Sequence, residues 1–185
     1  ILVKGPNVMQ GYYKDPEKTA EVMTGEYFHT GDKGEIDKDG FLKITGRKKE
    51  IFKTSGGKYI SPTLLENQMK QSRFIEQILV IGEGQKMPAA IVQPNFEFVK
   101  EWARRHQVDC GNSLEEIAEN KAVKDRIKEE IDEGNQHFGK WETIKRIEIT
   151  PEIWSVDNNL LTPTFKPKRE AILKRYKHLY DRIYG

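Results

Sequence analysis

The chain has 185 residues, a formal net charge of +2, 36% hydrophobic and 32% charged residues, enough apolar side chain for a core and no charge excess of the kind that marks a nucleic-acid binder. Three tryptophans, seven tyrosines and eight phenylalanines argue against disorder despite a mean hydropathy of −0.74. No apolar run approaches the roughly 20 residues needed to span a bilayer, and the single cysteine, Cys110, excludes an intramolecular disulfide and fits a reducing compartment.

Ile1-Leu2-Val3 reads as a strand already under way, and with a first residue other than Met the chain reads as part of something longer. Gly5-Pro6-Asn7 is a turn signal. Asp15 is placed to cap a short helix with Pro16 at its first position and Ala20, Val22 and Met23 on its apolar face. From His29 to Gly34 the pattern predicts a loop, then a strand over Glu35-Ile36-Asp37, an Asp-Gly hairpin turn at Lys38-Asp39-Gly40, and a return strand from Phe41 to Thr45.

The stretch from Thr45 to Pro62 reads as a junction between two bodies. Cations crowd it, Ile51-Phe52 crosses it as a short apolar pair, and Ser55-Gly56-Gly57-Lys58 makes a turn before a proline that suits the start of a helix. Two adjacent glycines let backbone approach a ligand closely, and cations beside such a turn suit a phosphate. A β-hairpin turn with a solvated basic face explains the same residues.

Pro62 to Ser72 is predicted helical, with Leu64, Leu65, Gln68 and Met69 on one side. Strands follow at Ile75–Ile81 and Pro88–Pro94. Gly82-x-Gly84 between them is read as a hairpin turn, because no helix follows it as a phosphate loop requires. Asn95 caps a helix to about His106, Ser113 and Glu116 form a capping box, and Val123, Ile127 and Ile131 space out a helix from Ala122 to about Gln136. Lys145 to Thr150 alternates as a strand, Asn158 to Lys166 reads as a loop, and Arg169 to Tyr184 as one basic terminal helix with Ile172, Leu173, Tyr176, Leu179, Tyr180 and Ile183 inward.

His106 and Cys110 are too few for a zinc site, so no metal site is expected. Ser55 lacks the flanking pattern of a hydrolase nucleophile. The terminal helix could touch RNA or anionic lipid, although a solvated face is the commoner origin of such a pattern. What remains is Asp32 in Thr30-Gly31-Asp32, Arg47 and Lys49 in the junction, Gly56-Gly57, and Lys166 behind a mobile-looking Thr-Pro-Thr-Phe loop. Together they offer a carboxylate for two ribose hydroxyls, an arginine for a phosphate and a lysine for charge on an α-phosphate under attack.

Three ordered segments resemble the adenylate-forming superfamily of acyl-CoA synthetases, peptide-synthetase adenylation domains and luciferases. They are Tyr27-Phe28-His29-Thr30-Gly31-Asp32, Gly40 through Glu50, and Ser55-Gly56-Gly57-Lys58-Tyr59-Ile60-Ser61-Pro62 with Leu65-Glu66. Gly46-Arg47-Lys48-Lys49-Glu50, the Leu161-Thr162-Pro163-Thr164-Phe165-Lys166 run and the insert from about Phe96 to Lys140 look most like the long-chain fatty acyl-CoA synthetase branch. The resemblance implies an α+β fold: a small mobile C-terminal domain, a short β-sheet flanked by helices, over 47–185, preceded at 1–46 by the terminal strands of a larger N-terminal domain.

It further implies that Asp32 binds the ATP ribose, that Arg47 meets ribose or phosphate, and that Lys49 is the hinge within 47–50. It implies that Gly56 and Gly57 present backbone to the pantetheine arm of coenzyme A and that Lys166 stabilises the α-phosphate and carboxylate during adenylation. Pro167 departs from the family, which more often has an aliphatic residue there. The implied substrates are a fatty acid, ATP and coenzyme A, with Mg²⁺ held by ligands outside this chain, which by itself is expected to be inactive. Residues 1–46 are expected to expose surface that the N-terminal domain covers. The expected location is the cytoplasm, with peripheral membrane contact left open. Other acyl- or aryl-CoA ligases, a peptide-synthetase piece, or a non-catalytic binding module of the same fold remain alternatives.

Overall fold

The computed structural model describes residues 1–185 and divides them into two compact units, 1–51 and 52–185. The first unit opens with β1 (Leu2–Val3), α1 (Pro16–Val22), β2 (Met23–Thr24) and β3 (Tyr27–His29), with β3 antiparallel to both β1 and β2. The Asp15 carboxylate accepts the Lys18 N–H at 3.0 Å, and Pro16 occupies the first helical position, where its missing N–H costs nothing. The inner face of α1 is thinner than its sequence suggests: Val22 and Met23 are half-buried, but Ala20 is exposed.

β4 (Asp32–Ile36) and β5 (Leu42–Arg47) form an antiparallel hairpin. The Asp37 carboxylate closes it by accepting the N–H groups of Asp39 and Phe41 at 3.0 and 2.9 Å. Two sequence expectations shift here. β4 begins at Asp32 rather than Glu35, and β5 runs on to Arg47 rather than ending at Thr45. Cross-strand pairing is the cause: a bulge between Lys33 and Gly34 carries the ladder on to Lys33 opposite Gly46 and Asp32 opposite Arg47. No hydrophobic side chain of this unit is buried; Tyr13, Ile36 and Phe41 stand well out of it.

The second unit starts with β6 (Phe52–Lys53) and β7 (Tyr59–Ile60), an antiparallel pair around the loop Thr54–Lys58. α2 (Pro62–Met69) follows and buries Leu65 and Met69. It stops short of Ser72, because the N–H groups of Gln71 and Ser72 close onto Gln68 and Met69 three residues back and tighten the chain into a turn. β8 (Ile75–Ile81) and β9 (Ala89–Pro94) are antiparallel. The chain then crosses through α3 (Phe96–Arg105), α4 (Leu114–Glu119) and α5 (Lys121–Asn135) to β10 (Arg146–Ile149), which lies parallel to β9, giving the order β10-β9-β8.

The Asn95 cap and the Ser113–Glu116 box are those the sequence announces, and Asn120 adds a cap it does not. Asn95 accepts the Phe98 N–H at 3.1 Å, Ser113 and Glu116 close a capping box, and Asn120 accepts the N–H groups of Ala122 and Val123. Helices cover both faces of the sheet. Ile78, Val80, Ala90 and Val92 pack with Leu65, Val99, Val123, Ile127 and Ile131, while Leu79, Ile81, Ala89 and Ile91 pack on the other side with Trp154, Leu161, Ile172, Leu179 and Ile183. Alternate residues of each strand thus feed opposite cores, which is why β8 and β9 read as nearly unbroken apolar runs.

The terminal segment is two helices rather than one: α6 (Arg169–Arg175) and α7 (Lys177–Tyr184). Tyr176 leaves helical geometry at φ −107°, ψ 32°. There its ring stacks on Trp154 at 6.2 Å and its hydroxyl donates to Glu152 Oε2 at 2.8 Å. No helix of the chain is long and apolar enough to cross a membrane.

Candidate functional site

In the first unit the hairpin brings Asp32 and Arg47 together across the strand pair. Arg47 Nε lies 3.0 Å from Asp32 Oδ1, with the carboxylate side chain 21% and the guanidinium side chain 53% exposed. The backbone around them is pinned: Asp32 N–H donates to Thr30 Oγ1 at 3.0 Å, and Lys48 N–H donates to the Gly31 carbonyl at 2.8 Å. An acceptor carboxylate beside a guanidinium with further N–H groups can take vicinal hydroxyls and an anion side by side. Directly after Arg47 the chain turns, with the Glu50 and Ile51 N–H groups both closing onto the Arg47 carbonyl at 3.1 and 3.2 Å. Lys49 sits in that turn and is exposed.

In the second unit the glycines occupy the loop between β6 and β7. The Thr54 N–H donates to the Lys58 carbonyl and the Gly57 N–H to the Thr54 carbonyl, both at 2.9 Å. The two glycines differ. Gly57 has φ +80°, where an L side chain is strained, whereas Gly56 has an ordinary φ and a Cβ there would meet nothing nearer than Thr54 Oγ1 at 4.0 Å. The fold therefore needs Gly57 but not Gly56. Lys53 and Lys58 flank the loop, each 5.6 Å from an aromatic centroid, Tyr59 and Trp141 respectively. The Gly84 N–H donates to the Lys53 carbonyl and the Ser55 N–H to the Gln85 carbonyl, both at 2.9 Å, fixing this hairpin to the β8–β9 turn.

Lys166 lies on a loop that is closed rather than mobile-looking. The Thr162 N–H donates to the Lys166 carbonyl at 2.8 Å, the Lys166 N–H donates to Thr162 Oγ1 at 3.0 Å, and Leu161 bridges to Pro167 at the base. Phe165 takes the left-handed conformation at φ +58° to make the bend, with its ring exposed. The Lys166 side chain is exposed and its ammonium has no hydrogen-bond or ion-pair partner.

Upstream, Glu152 gathers Arg175 at 2.9 and 3.0 Å, Tyr176 at 2.8 Å and Asn158 at 3.4 Å, tying the segment before the lysine loop to the break between α6 and α7. Burial opposes its ionisation, but the hydrogen bonds and charge of Arg175 with the Tyr176 and Asn158 bonds outweigh it and hold the carboxyl below its usual range. Burial pushes the Tyr176 phenol up to about 12.

One ionic group escapes the sequence pattern. Arg169, at the start of α6, donates from Nη1 to Glu66 Oε1 at 2.6 Å and from Nη2 to the Val80 carbonyl at 2.7 Å, and the Val80 N–H donates to the same Glu66 oxygen at 2.8 Å. Glu66 stands in the resembling motif, but nothing in the spacing links it to a residue 103 positions on. An open cleft of about 470 Å³ between α3 and α5, lined by Phe74, Phe98, Trp102, Arg105 and Arg126, contains none of the candidate residues. The chain groups no three His, Cys, Asp or Glu side chains that could hold a metal.

Comparison with known proteins adds three findings. Residues 49–185 match the family described as AMP-binding enzyme C-terminal domain. The chain is 42% identical over 192 residues to long-chain-fatty-acid–CoA ligase 1 of Homo sapiens, covering 100% of this chain and 27% of that protein. It is 39% identical over 190 residues to fatty acyl-CoA synthetase B of Dictyostelium discoideum, covering 100% of this chain and 28% of that protein. The chain thus spans little more than a quarter of the length of these relatives. Among solved structures, the A domain of a carboxylic acid reductase from Segniliparus rugosus, in complex with AMP and a co-purified carboxylic acid, shares the fold at TM-score 0.78 and 22% identity, over 98% of this chain and 27% of that one.

Proposed function

This chain belongs to the family of AMP-binding enzyme C-terminal domains, and from that premise we propose that it is the C-terminal part of a long-chain fatty acid–CoA ligase. In the first half-reaction a carboxylate oxygen of the fatty acid attacks the α-phosphorus of ATP, the bond to pyrophosphate breaks, and an acyl-adenylate forms. In the second, the thiol sulfur of coenzyme A attacks the acyl carbon, the bond to AMP breaks, and the thiol proton leaves to solvent. The match to named long-chain ligases along the whole chain supports the substrate class.

The observation that carries the mechanism is Lys166: an exposed, unpaired cation on a loop whose backbone is hydrogen-bonded shut. The closed backbone fixes where the lysine starts, and its free ammonium is available to the negative charge that builds on the α-phosphate and carboxylate. Asp32 accepts the ribose hydroxyls, and Arg47 beside it meets ribose or phosphate. Gly56, which the fold does not require to be glycine, leaves bare backbone for the pantetheine arm. Gly57 shapes the loop, and Lys53 and Lys58 supply charge for the phosphates of coenzyme A. Lys49, in the turn on the Arg47 carbonyl, is the hinge between half-reactions, with 47–185 the mobile domain and 1–46 the end of the N-terminal one. No three His, Cys, Asp or Glu side chains of this chain come together to hold Mg²⁺.

The test is fatty-acid-dependent exchange of pyrophosphate into ATP by the full-length ligase. Lys166→Ala should lower the exchange rate by about 10²–10³-fold and leave thioester formation from added acyl-adenylate intact. Undiminished exchange would remove Lys166 from adenylation. A folded full-length protein with no exchange and no acyl-CoA product across fatty acids would leave a binding module instead.

A further inference from the structure

We infer that Glu66 and Arg169 are positioning residues that hold the glycine loop and the Lys166 loop on one strand, so that a single ion pair serves both half-reactions. This rests on the ligase function proposed above. β8 is an outer strand of the sheet, and the groups on its free edge have no ladder partner. At Val80 two side chains take the place of a neighbouring strand: Glu66 accepts the N–H, Arg169 donates to the carbonyl, and the two ionic groups bond to each other. The result is a closed ring of three charge-assisted hydrogen bonds on one residue's backbone. Both side chains are largely withdrawn from solvent, at 12% and 24% exposure.

The positions of the two residues along the chain give the ring its consequence. Glu66 is on α2, which begins two residues after β7 and so continues directly from the glycine hairpin. Arg169 opens α6 three residues after Lys166, just past the Leu161–Pro167 bridge that closes the lysine loop. The hairpin is tied a second time to the turn that directly follows this strand, through the Gly84 N–H and the Gln85 carbonyl. β8 is therefore the common reference for both loops, and the Glu66–Arg169 pair is the place where the two lines of support meet. A buried ion pair adds little net stability over a well-packed apolar pair. Its planar, two-pronged geometry does fix distance and direction, which is what a pair of reaction loops requires.

The experiment uses the full-length ligase with Glu66→Gln, which keeps the shape, and Arg169→Lys, which keeps the charge but loses the fork. Pyrophosphate exchange and thioester formation from preformed acyl-adenylate are measured separately, well below each variant's melting temperature. Lys166→Ala and Gly56→Leu serve as references, each expected to slow one half-reaction. Ile127→Val, a core change on α5 that touches neither ionic group, serves as the stability control.

Both positioning variants should lower kcat in both half-reactions together by about tenfold or more, with KM for ATP and for coenzyme A little changed, because neither residue touches substrate. The inference is overturned if only one half-reaction slows, if neither does, or if Ile127→Val slows both to the same degree. Should Glu66→Gln fail to fold, Arg169→Lys decides alone; failure of both to fold would assign the pair to stability and overturn the inference. If Lys166→Ala and Gly56→Leu fail to separate the half-reactions, the ligase assignment of those loops falls first and this inference with it.

Discussion

Residues 1–51 and 52–185 spend their apolar side chains in opposite ways. Six of the seven residues of β8 are buried, under helices on both faces of the sheet. The hairpin of the first unit has Ile36, Leu42 and Ile44 at 74%, 57% and 58% exposure, and that unit buries no hydrophobic side chain at all. The β4–β5 and β8–β9 hairpins are both antiparallel ladders, so that pairing does not distinguish them. Packing does. A two-stranded ribbon without a covered face is marginal in water.

Amide hydrogen exchange on the 185-residue chain should break or confirm that contrast most forcefully. The amides of β8 and β9 should open only with global unfolding, at a free energy on the order of 5–10 kcal/mol, while those of β4 and β5 exchange through openings near zero. Equal protection in both hairpins would mean that the first unit is stable on grounds that burial does not show. Denaturant unfolding gives the side-chain version. Ile78→Ala, at a fully buried site, should cost about 2–5 kcal/mol, and Ile44→Ala should stay within about 0.5 kcal/mol.

Acid sharpens the comparison by reporting on the second unit. The carboxyl of Glu152 is held below its usual range, so its contribution to stability is complete above the unfolded-state value near 4.5 and is lost as pH falls through the lower folded value. The melting temperature of the second unit should therefore drop in that window, and Glu152→Gln should flatten the drop while lowering stability at neutral pH. An unchanged acid limb in Glu152→Gln would show that other groups carry it. The smallest effect compares two helix caps. Asn120→Ala should cost the second unit about 1 kcal/mol, because α5 is anchored in the core by Val123, Ile127 and Ile131. Asp15→Ala removes a cap of the same kind from α1, which buries nothing, and should change global unfolding by less than about 0.5 kcal/mol.

Much of the fold is legible in the sequence where local chemistry decides. Asn95, the Ser113–Glu116 box and the Val123-Ile127-Ile131 spacing mark helices that do form, because caps and periodicity act within a turn or two. Tyr176 shows where that legibility stops: no glycine or proline warns of the break, which comes from a hydroxyl reaching Glu152, 24 residues away. The candidate site divides in the same way. Asp32, Arg47, Gly56, Gly57 and Lys166 are visible by residue type and by resemblance, and the pairing of Asp32 with Arg47 follows from a bulge that no alternation pattern announces. The Glu66–Arg169 ring lies beyond reach, since its partners meet only after the sheet and both helices are in place.

The parallel contact of β9 with β10 has a consequence for how the molecule is made. β8 and β9 are joined by a short turn and can pair as soon as both exist, but β10 must wait for the whole of 95–145 to fold back on itself. The third strand is thus a late event in time as well as in sequence, and α6, α7 and the lysine loop come after it. Until then one side of β9 lacks its partner, and the hydrophobic surface destined for α6 and α7 stands open to solvent. The stage of synthesis most exposed to misassociation is therefore the last fifth of the chain, the same stretch that delivers Lys166 and Arg169 to their places.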